Sequence, residues 1–274
     1  MKPPLVAIKD LSFAYAKDAQ LVLKNINLEI KEGEYIALIG QNGSGKTTLT
    51  KTIGGLLLPI SGQVMLNGVP VSSMSVAERT AMVGYSYQNP DHQIFLSTIE
   101  DEVAFGPKNL NLDKETIEER VNEALEAVGL LKYRKEEPYF AGKGERQKVA
   151  VASILAMRSR LIILDEPTTG LDWKGSQDMM GLIKKLWNDG HTIIIITHNM
   201  RLVAENAQRA IVLCQGEILM DDSPSGVFQF PDKLAQSFLQ PPQITQLWHQ
   251  ISQEGSPWLN SYEAQRSLND RLYN

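Results

Sequence analysis

The chain has 274 residues, 43% of them hydrophobic and 22% charged, with a net charge of −5. That balance suits one large soluble domain or a domain with an appendage, and an acidic chain gives no bulk sign of a nucleic-acid partner. The single cysteine, Cys214, excludes an internal disulfide and is expected as a small buried residue in a reducing compartment.

In chain order, Val6–Ile8 and Leu11–Tyr15 read as β segments, and Ile26–Ile30 alternates apolar and polar residues as a half-buried strand does. Glu32-Gly33-Glu34 turns the chain into Tyr35–Ile39, a nearly continuous apolar strand of the kind covered on both faces. A helix is expected from near Lys46 toward Leu58, where Pro59 and Gly62 end it. Residues 64–69 read as a short strand closed by Asn67-Gly68. From about 90 to 158 the pattern is helical: Ile117, Val121, Leu125 and Val128 share a helix face, with Asp113 as cap and Gly129 as stop. Strands return at Leu161–Leu164 and Thr192–Thr197, and a helix over 174–188 between them makes a parallel βαβ unit. Ile211–Leu213 and Glu217–Met220 flank Gly216 as a hairpin, and Ser223-Pro224 caps a helix. Beyond about 230, the Pro241-Pro242 break and short amphipathic stretches read as a small appendix. No apolar run approaches bilayer length, and the first residues lack a basic-then-apolar signal. The expectation is a cytosolic chain that reaches a membrane only through a partner.

Two stretches carry chemistry. "GQNGSGKT", spanning Gly40, Gln41, Asn42, Gly43, Ser44, Gly45, Lys46 and Thr47, fits G-x-x-x-x-G-K-[ST] between a strand and a helix. Its glycines let consecutive backbone N–H groups wrap phosphate oxygens, and the helix N-terminus adds its dipole. Lys46 should reach the terminal phosphates, Thr47 should ligate Mg²⁺, and Thr48 adds a second hydroxyl. In "LIILDEP" a buried strand delivers Asp165 to its end, where it can hold Mg²⁺ through water, with Glu166 placed to polarise an attacking water. A second strand ends at His198, within reach of the γ-phosphate and that water.

With these motifs in this order, residues 5–220 resemble the ATP-binding cassette (ABC) ATPases. The resemblance implies an α/β fold: a RecA-like phosphate-loop core, an N-terminal antiparallel β part, a helical subdomain at about 88–160 and a small C-terminal extension. The domains would be 1–222 for the ATPase and 223–274 for the extension. It also implies that Tyr15 stacks on adenine, that Gln88 senses Mg²⁺ and links to a transmembrane partner, and that Asp172 in "GLD" communicates between two subunits. Lys46, Glu166 and His198 would be the catalytic residues, with ATP and Mg²⁺ as ligands.

"YQNPDHQIF", residues 87–95, narrows the resemblance to the ATPase subunits of energy-coupling factor transporters, including the cobalt and nickel branch. There Gln93 and Phe95 would line a groove for a helix of the transmembrane coupling subunit. "LAQSFLQPPQITQL", 234–247, is similar to the extension through which such subunits pair.

One loop departs from the family. "RQKVAVA", Arg146–Ala152, aligns without a gap to the helix after the L-S-G-G-Q signature. Ala141, Gly142, Lys143, Gly144 and Glu145 then stand for the five signature residues, and only Gly144 is kept. In this family that loop acts in trans, over the partner's γ-phosphate. Gly142 has no hydroxyl to offer there, and Lys143 places a side chain where close backbone approach is required. The loop is therefore either weakened or a tolerated variant.

The implied whole is a peripheral ATPase on the cytoplasmic face of the cell membrane. Its partners would be a second ATPase subunit in a heterodimer, a transmembrane coupling subunit and a separate substrate-binding membrane subunit, with no nucleic acid. Uptake of a vitamin or a transition metal ion is the expected task. A conventional ABC importer subunit and a soluble scaffold-type ABC ATPase are the alternatives.

Overall fold

The computed structural model describes residues 3–16, 19–140, 142–251 and 255–272. Among them the strands form two sheets built on different principles. The first is antiparallel, in the order β2-β1-β4-β5, from Val6–Phe13 (β1), Leu23–Ile30 (β2), Ser61–Leu66 (β4) and Val69–Pro70 (β5). β1 runs unbroken where the sequence suggests two segments. Asp10 takes a left-handed conformation (φ 49°), the register shifts there, and the chain continues in the same strand.

The second sheet has the order β10-β9-β3-β8-β7-β6. Its centre is Tyr35–Ile39 (β3), Leu161–Asp165 (β7) and Thr192–Ile196 (β8), every residue of which is buried. These are the near-continuous apolar runs that a parallel sheet covered on both faces requires, each buried Ile or Leu contributing roughly 1.5–3 kcal/mol. Val83–Ser86 (β6) is one edge strand, pairing in parallel with β7. Arg209–Cys214 (β9) and Glu217–Asp222 (β10) form the expected hairpin, turning through Gln215 (φ 49°) and Gly216 (φ 86°). Cys214 is half-buried rather than buried, and its thiol donates to the Gln236 carbonyl at 3.3 Å.

Lys46–Ile53 (α1) stops earlier than the apolar Leu56–Leu58 suggest. Gly55 takes φ 67°, where a Cβ would lie 2.5 Å from Val71 Cγ1, so the helix ends at a glycine that cannot be replaced without strain. Val76–Met82 (α2) opens with a capping box between Ser75 and Glu78. Ile99–Asn109 (α3), Lys114–Ala127 (α4) and Lys143–Ala156 (α5) pack together as the helical part, with Asp113 capping α4 through Thr116 N and Gly129 at φ 75° after it. Trp173–Asn188 (α6) joins β7 to β8, and Met200–Asn206 (α7) follows β8. The rest comprises Pro224–Phe228 (α8), capped by Ser223 as expected, Pro231–Ala235 (α9), Gln243–Ile251 (α10) and Ser261–Leu272 (α11). Trp248, Trp258 and Ala264 form a small core of their own in this tail. No helix among the described residues is long and apolar enough to cross a membrane.

Candidate functional site

In the second sheet β8 lies between β3 and β7. The C-terminal ends of three adjacent parallel strands therefore deliver the 40–47 loop, His198 and the Asp165-Glu166 pair to one edge, where open α/β sheets place their sites. A cavity of about 410 Å³ opens there, lined by Tyr15, Asn42, Gly43, Gly45, Lys46, Thr47, Thr48, Gln88, Asp165 and Glu166, with Val22 and Ile196. Gly40, Gln41 and Ser44 do not line it. The Lys46 ammonium donates to the carbonyls of Gly40 and Gln41, both at 2.9 Å. Burial lowers the Lys46 pKa, opposed by the charges of Glu166 and Asp165.

The loop is braced from outside. Gly216 N–H, in the β9–β10 turn, donates to Ser44 O at 3.0 Å, and a Cβ on Gly40 would lie 2.2 Å from Leu213 O. Glycine is required at 40 on both counts, space and its φ of 152°.

Asp165 is buried, and burial raises its pKa against the lowering effect of two donated hydrogen bonds. Those donors are Thr47 Oγ1 at 3.0 Å and Tyr85 OH at 3.1 Å, both to Oδ2. Glu166 has φ 50°, a left-handed conformation uncommon for a residue with a Cβ. Its backbone N–H is held by Ile196 O at 2.9 Å, and its carboxylate accepts from Thr169 Oγ1 at 3.1 Å. His198 Nδ1 lies 2.8 Å from Glu166 Oε1. Because a carboxylate only accepts, Nδ1 carries the proton in this contact, and Nε2 takes no part in it. At the cavity mouth the Tyr15 ring is 64% exposed, and its hydroxyl lies 3.0 Å from Thr48 Oγ1. An aromatic held at one end and open on its face can accept a stacked base.

None of Gly142, Lys143, Gly144 and Glu145 lines this cavity. Gly142 is the N-cap of α5, and Ala141 lies outside the described residues. The Lys143 side chain folds over Gly170, where a Cβ would sit 2.6 Å from the lysine Nζ, and Glu145 curls back toward Gly142. Asp172 caps α6, its carboxylate accepting from Gly175 N at 2.7 Å.

A second, apolar groove of about 650 Å³ runs between α2, β6, α3 and α5, and Gln93 and Phe95 both line it. Phe95 is 59% exposed and packs edge-on against Phe105 with centroids 4.9 Å apart. Gln93 turns partly inward, donating through Nε2 to Ala150 O at 3.3 Å. Residues that the sequence does not single out hold this segment: Glu102 accepts from Phe95 N and Leu96 N at 3.0 and 2.9 Å, Tyr139 OH donates to Ile94 O at 2.6 Å, and Arg146 pairs with Asp91 at 2.8 Å. Tyr85 and Thr169 belong with them. Tyr85, Tyr139 and Arg146 are long-range partners, while Thr169 reaches Glu166 from three residues away; only the apolar stretch ahead of Gln88 offers a signal for Tyr85.

Residues 23–169 match the family described as ABC transporter. The chain is 48% identical over 247 residues to an ABC transporter ATP-binding protein of Caldanaerobacter subterraneus, which covers 90% of this chain. It spans 43%, 40% and 39% of the length of that relative and two others, under half in each case. It is 41% identical to the energy-coupling factor transporter ATP-binding protein EcfA2 of Clostridium tetani, over 91% of this chain and 90% of that one. Among solved structures, cbiO1 of Clostridium perfringens, described as part of the ABC transporter complex cbiONQ, superposes with TM-score 0.77. It is 30% identical and covers 91% of this chain and 99% of its own.

Proposed function

The chain belongs to the ABC transporter family of ATPases, and from that premise we propose that it is the ATP-hydrolysing subunit of an energy-coupling factor type importer for a vitamin or a transition metal ion. One observation carries the reading. An exposed aromatic, a lysine-bearing phosphate loop and a hydroxyl–carboxylate pair meet with Glu166 at a single cavity, and His198, outside its lining, holds Glu166 at 2.8 Å. The relatives named as energy-coupling factor ATP-binding proteins and the likeness to cbiO1 support the transporter type.

Tyr15 stacks on the base, and the N–H groups of residues 40–48 cradle the phosphates beside Lys46. Thr47, Gln88 and Asp165 fit Mg²⁺: they line one cavity and offer a hydroxyl, an amide and a carboxylate oxygen, all hard donors. When bound, that ion neutralises charge on the terminal phosphates. Glu166 accepts the proton of the water that attacks the terminal phosphorus, as the bond to the departing ADP oxygen breaks. His198 holds the Glu166 carboxylate through Nδ1, and a protonated Nε2 would donate to a phosphate oxygen.

A second ATPase subunit completes the unit, as a heterodimer. Gly142, Lys143, Gly144 and Glu145 cover the partner's nucleotide, Asp172 contacts the partner, and the 223–274 extension assists pairing. The groove at Gln93 and Phe95 seats an amphipathic helix of a transmembrane coupling subunit on the cytoplasmic face of the membrane, and a separate membrane subunit selects the solute. Phe95→Ala with Gln93→Ala should release the coupling subunit or uncouple uptake, while the isolated chain still binds ATP. Purification of the tagged chain from solubilised membranes, with uptake measured in parallel, reads both. Assembly and uptake both unchanged in that variant would move the coupling surface elsewhere, and recovery of the chain free of any membrane subunit would overturn the transport role.

A further inference from the structure

Tyr85 belongs to two places at once. It lines the apolar groove together with Tyr87, Phe95 and Phe105, and its hydroxyl donates to Asp165 Oδ2, at the end of the neighbouring strand β7, at 3.1 Å. β6 pairs with β7 so that Tyr85 stands opposite Ile163, two residues before Asp165, and the long side chain spans that offset. Tyr87, just beyond the strand, packs against the Tyr85 ring with centroids 5.1 Å apart, and Thr50 Oγ1 lies 3.4 Å from the Tyr85 hydroxyl. The side chain is thus fixed at the ring by the groove wall and at the tip by polar groups.

A carboxylate oxygen only accepts, so in this 3.1 Å contact the Tyr85 hydroxyl is the donor. Thr47 Oγ1 donates to the same carboxylate oxygen. A hydroxyl has one hydrogen and two lone pairs, so Thr47 can make this bond and still offer a lone pair to a metal ion. Two donors on Oδ2 lock the carboxylate plane. Among the described residues no hydrogen bond reaches Oδ1, which is left for the water shell of a cation.

We propose that Tyr85 is a positioning residue: its hydroxyl sets the Asp165 carboxylate for Mg²⁺, and its ring makes that setting respond to what occupies the groove. The inference rests on the reading of Asp165 as a metal-holding residue and of the groove as the seat of the coupling subunit. Outer-shell donors of this kind orient metal-binding carboxylates, and removing one weakens metal affinity by about 10–100-fold.

Tyr85→Phe removes the hydroxyl and keeps the ring. Two quantities test it in the full chain: the free Mn²⁺ concentration that half-saturates the ATP-bound protein, read by electron paramagnetic resonance, and the affinity for ATP without metal. The half-saturating metal concentration should rise about tenfold or more while metal-free ATP affinity stays within about twofold, which also shows that the variant is folded. In the complex with its coupling subunit, that subunit should shift the half-saturating metal concentration of the wild type and lose this effect on Tyr85→Phe. A wild-type metal response in Tyr85→Phe overturns the inference alone, and an equal shift by the coupling subunit in both proteins overturns its groove half. Absence of metal-dependent ATP binding in the wild type overturns the nucleotide reading together with it.

Discussion

Glu166 and His198 should fail as a unit. The perturbation is a double-mutant cycle: Glu166→Gln, His198→Ala and the pair together, in the assembled ATPase. Glu166 holds a left-handed backbone and receives hydrogen bonds from Thr169 and His198, at 3.1 and 2.8 Å. Glutamine keeps its size and its bonding to Thr169 but cannot take a proton from water, so turnover at this chain's site should fall at least about a hundredfold, roughly 2.7 kcal/mol of barrier. His198 is 69% exposed on its side chain, against 12% for Glu166, so its bond is partly screened. His198→Ala should cost about tenfold by letting the carboxylate turn. Independent action would put the double variant about a thousandfold down, whereas action through the shared bond leaves it within about threefold of Glu166→Gln alone. The assay is phosphate release at saturating ATP, with ATP binding measured separately to show that the pocket is intact. Losses that multiply would refute the assignment of His198 to Glu166, and near-normal hydrolysis in Glu166→Gln would remove the base.

Two further variants probe the site from other sides. Burial raises the Asp165 pKa in the fold, so the protonated form is favoured there: its stabilising contribution is complete below the ordinary carboxylate range and is lost as pH rises through the raised folded value. Asp165→Asn keeps an acceptor for Thr47 and Tyr85, so without metal it should melt at or above the wild type near neutral pH and lose that advantage in acid; calorimetry showing a drop of several degrees at neutral pH would refute this. Gly142→Ser with Lys143→Gly should raise hydrolysis only at the partner's site, because it supplies a hydroxyl at the N-cap of α5, with Glu145 already turned toward it, and clears the lysine from Gly170. Glu166→Gln in this chain and the equivalent change in the partner, made separately, would isolate the two sites, and no gain would make the 141–145 loop a tolerated variant.

Legibility in the sequence follows the range of the interactions. Tyr35–Ile39, the 40–47 loop and the strand before Asp165 are readable because their function needs consecutive residues of fixed type. Caps such as Asp113 and Ser223 are readable because a cap acts within three residues. The end of α1 misleads because Leu56 and Leu58 look like a helix face; both are more than half exposed, and the backbone at Gly55 decides instead. β6 has only a weak sequence signal, since "VGYS" is short and carries a glycine. The hydroxyl on Asp165 comes from 80 residues away, and the lysine that covers Gly170 comes from another helix. No local pattern announces either.

The brace behind the phosphate loop has a thermodynamic consequence. Ser44 is already tied to the β9–β10 turn, and the Lys46 ammonium is already held by two carbonyls of its own loop. Nucleotide therefore meets a receptor whose ordering entropy was spent during folding, and association need only exchange lysine–carbonyl contacts for lysine–phosphate ones. Capture by the chain alone should be fast and carry a small entropic penalty, so its residence time is set by the strength of the exchanged contacts. Cys214, which opens that same turn, bonds the first stretch of the tail at Gln236. Heat or denaturant that loosens the tail would thus be felt first as a faster loss of nucleotide, before the central sheet melts.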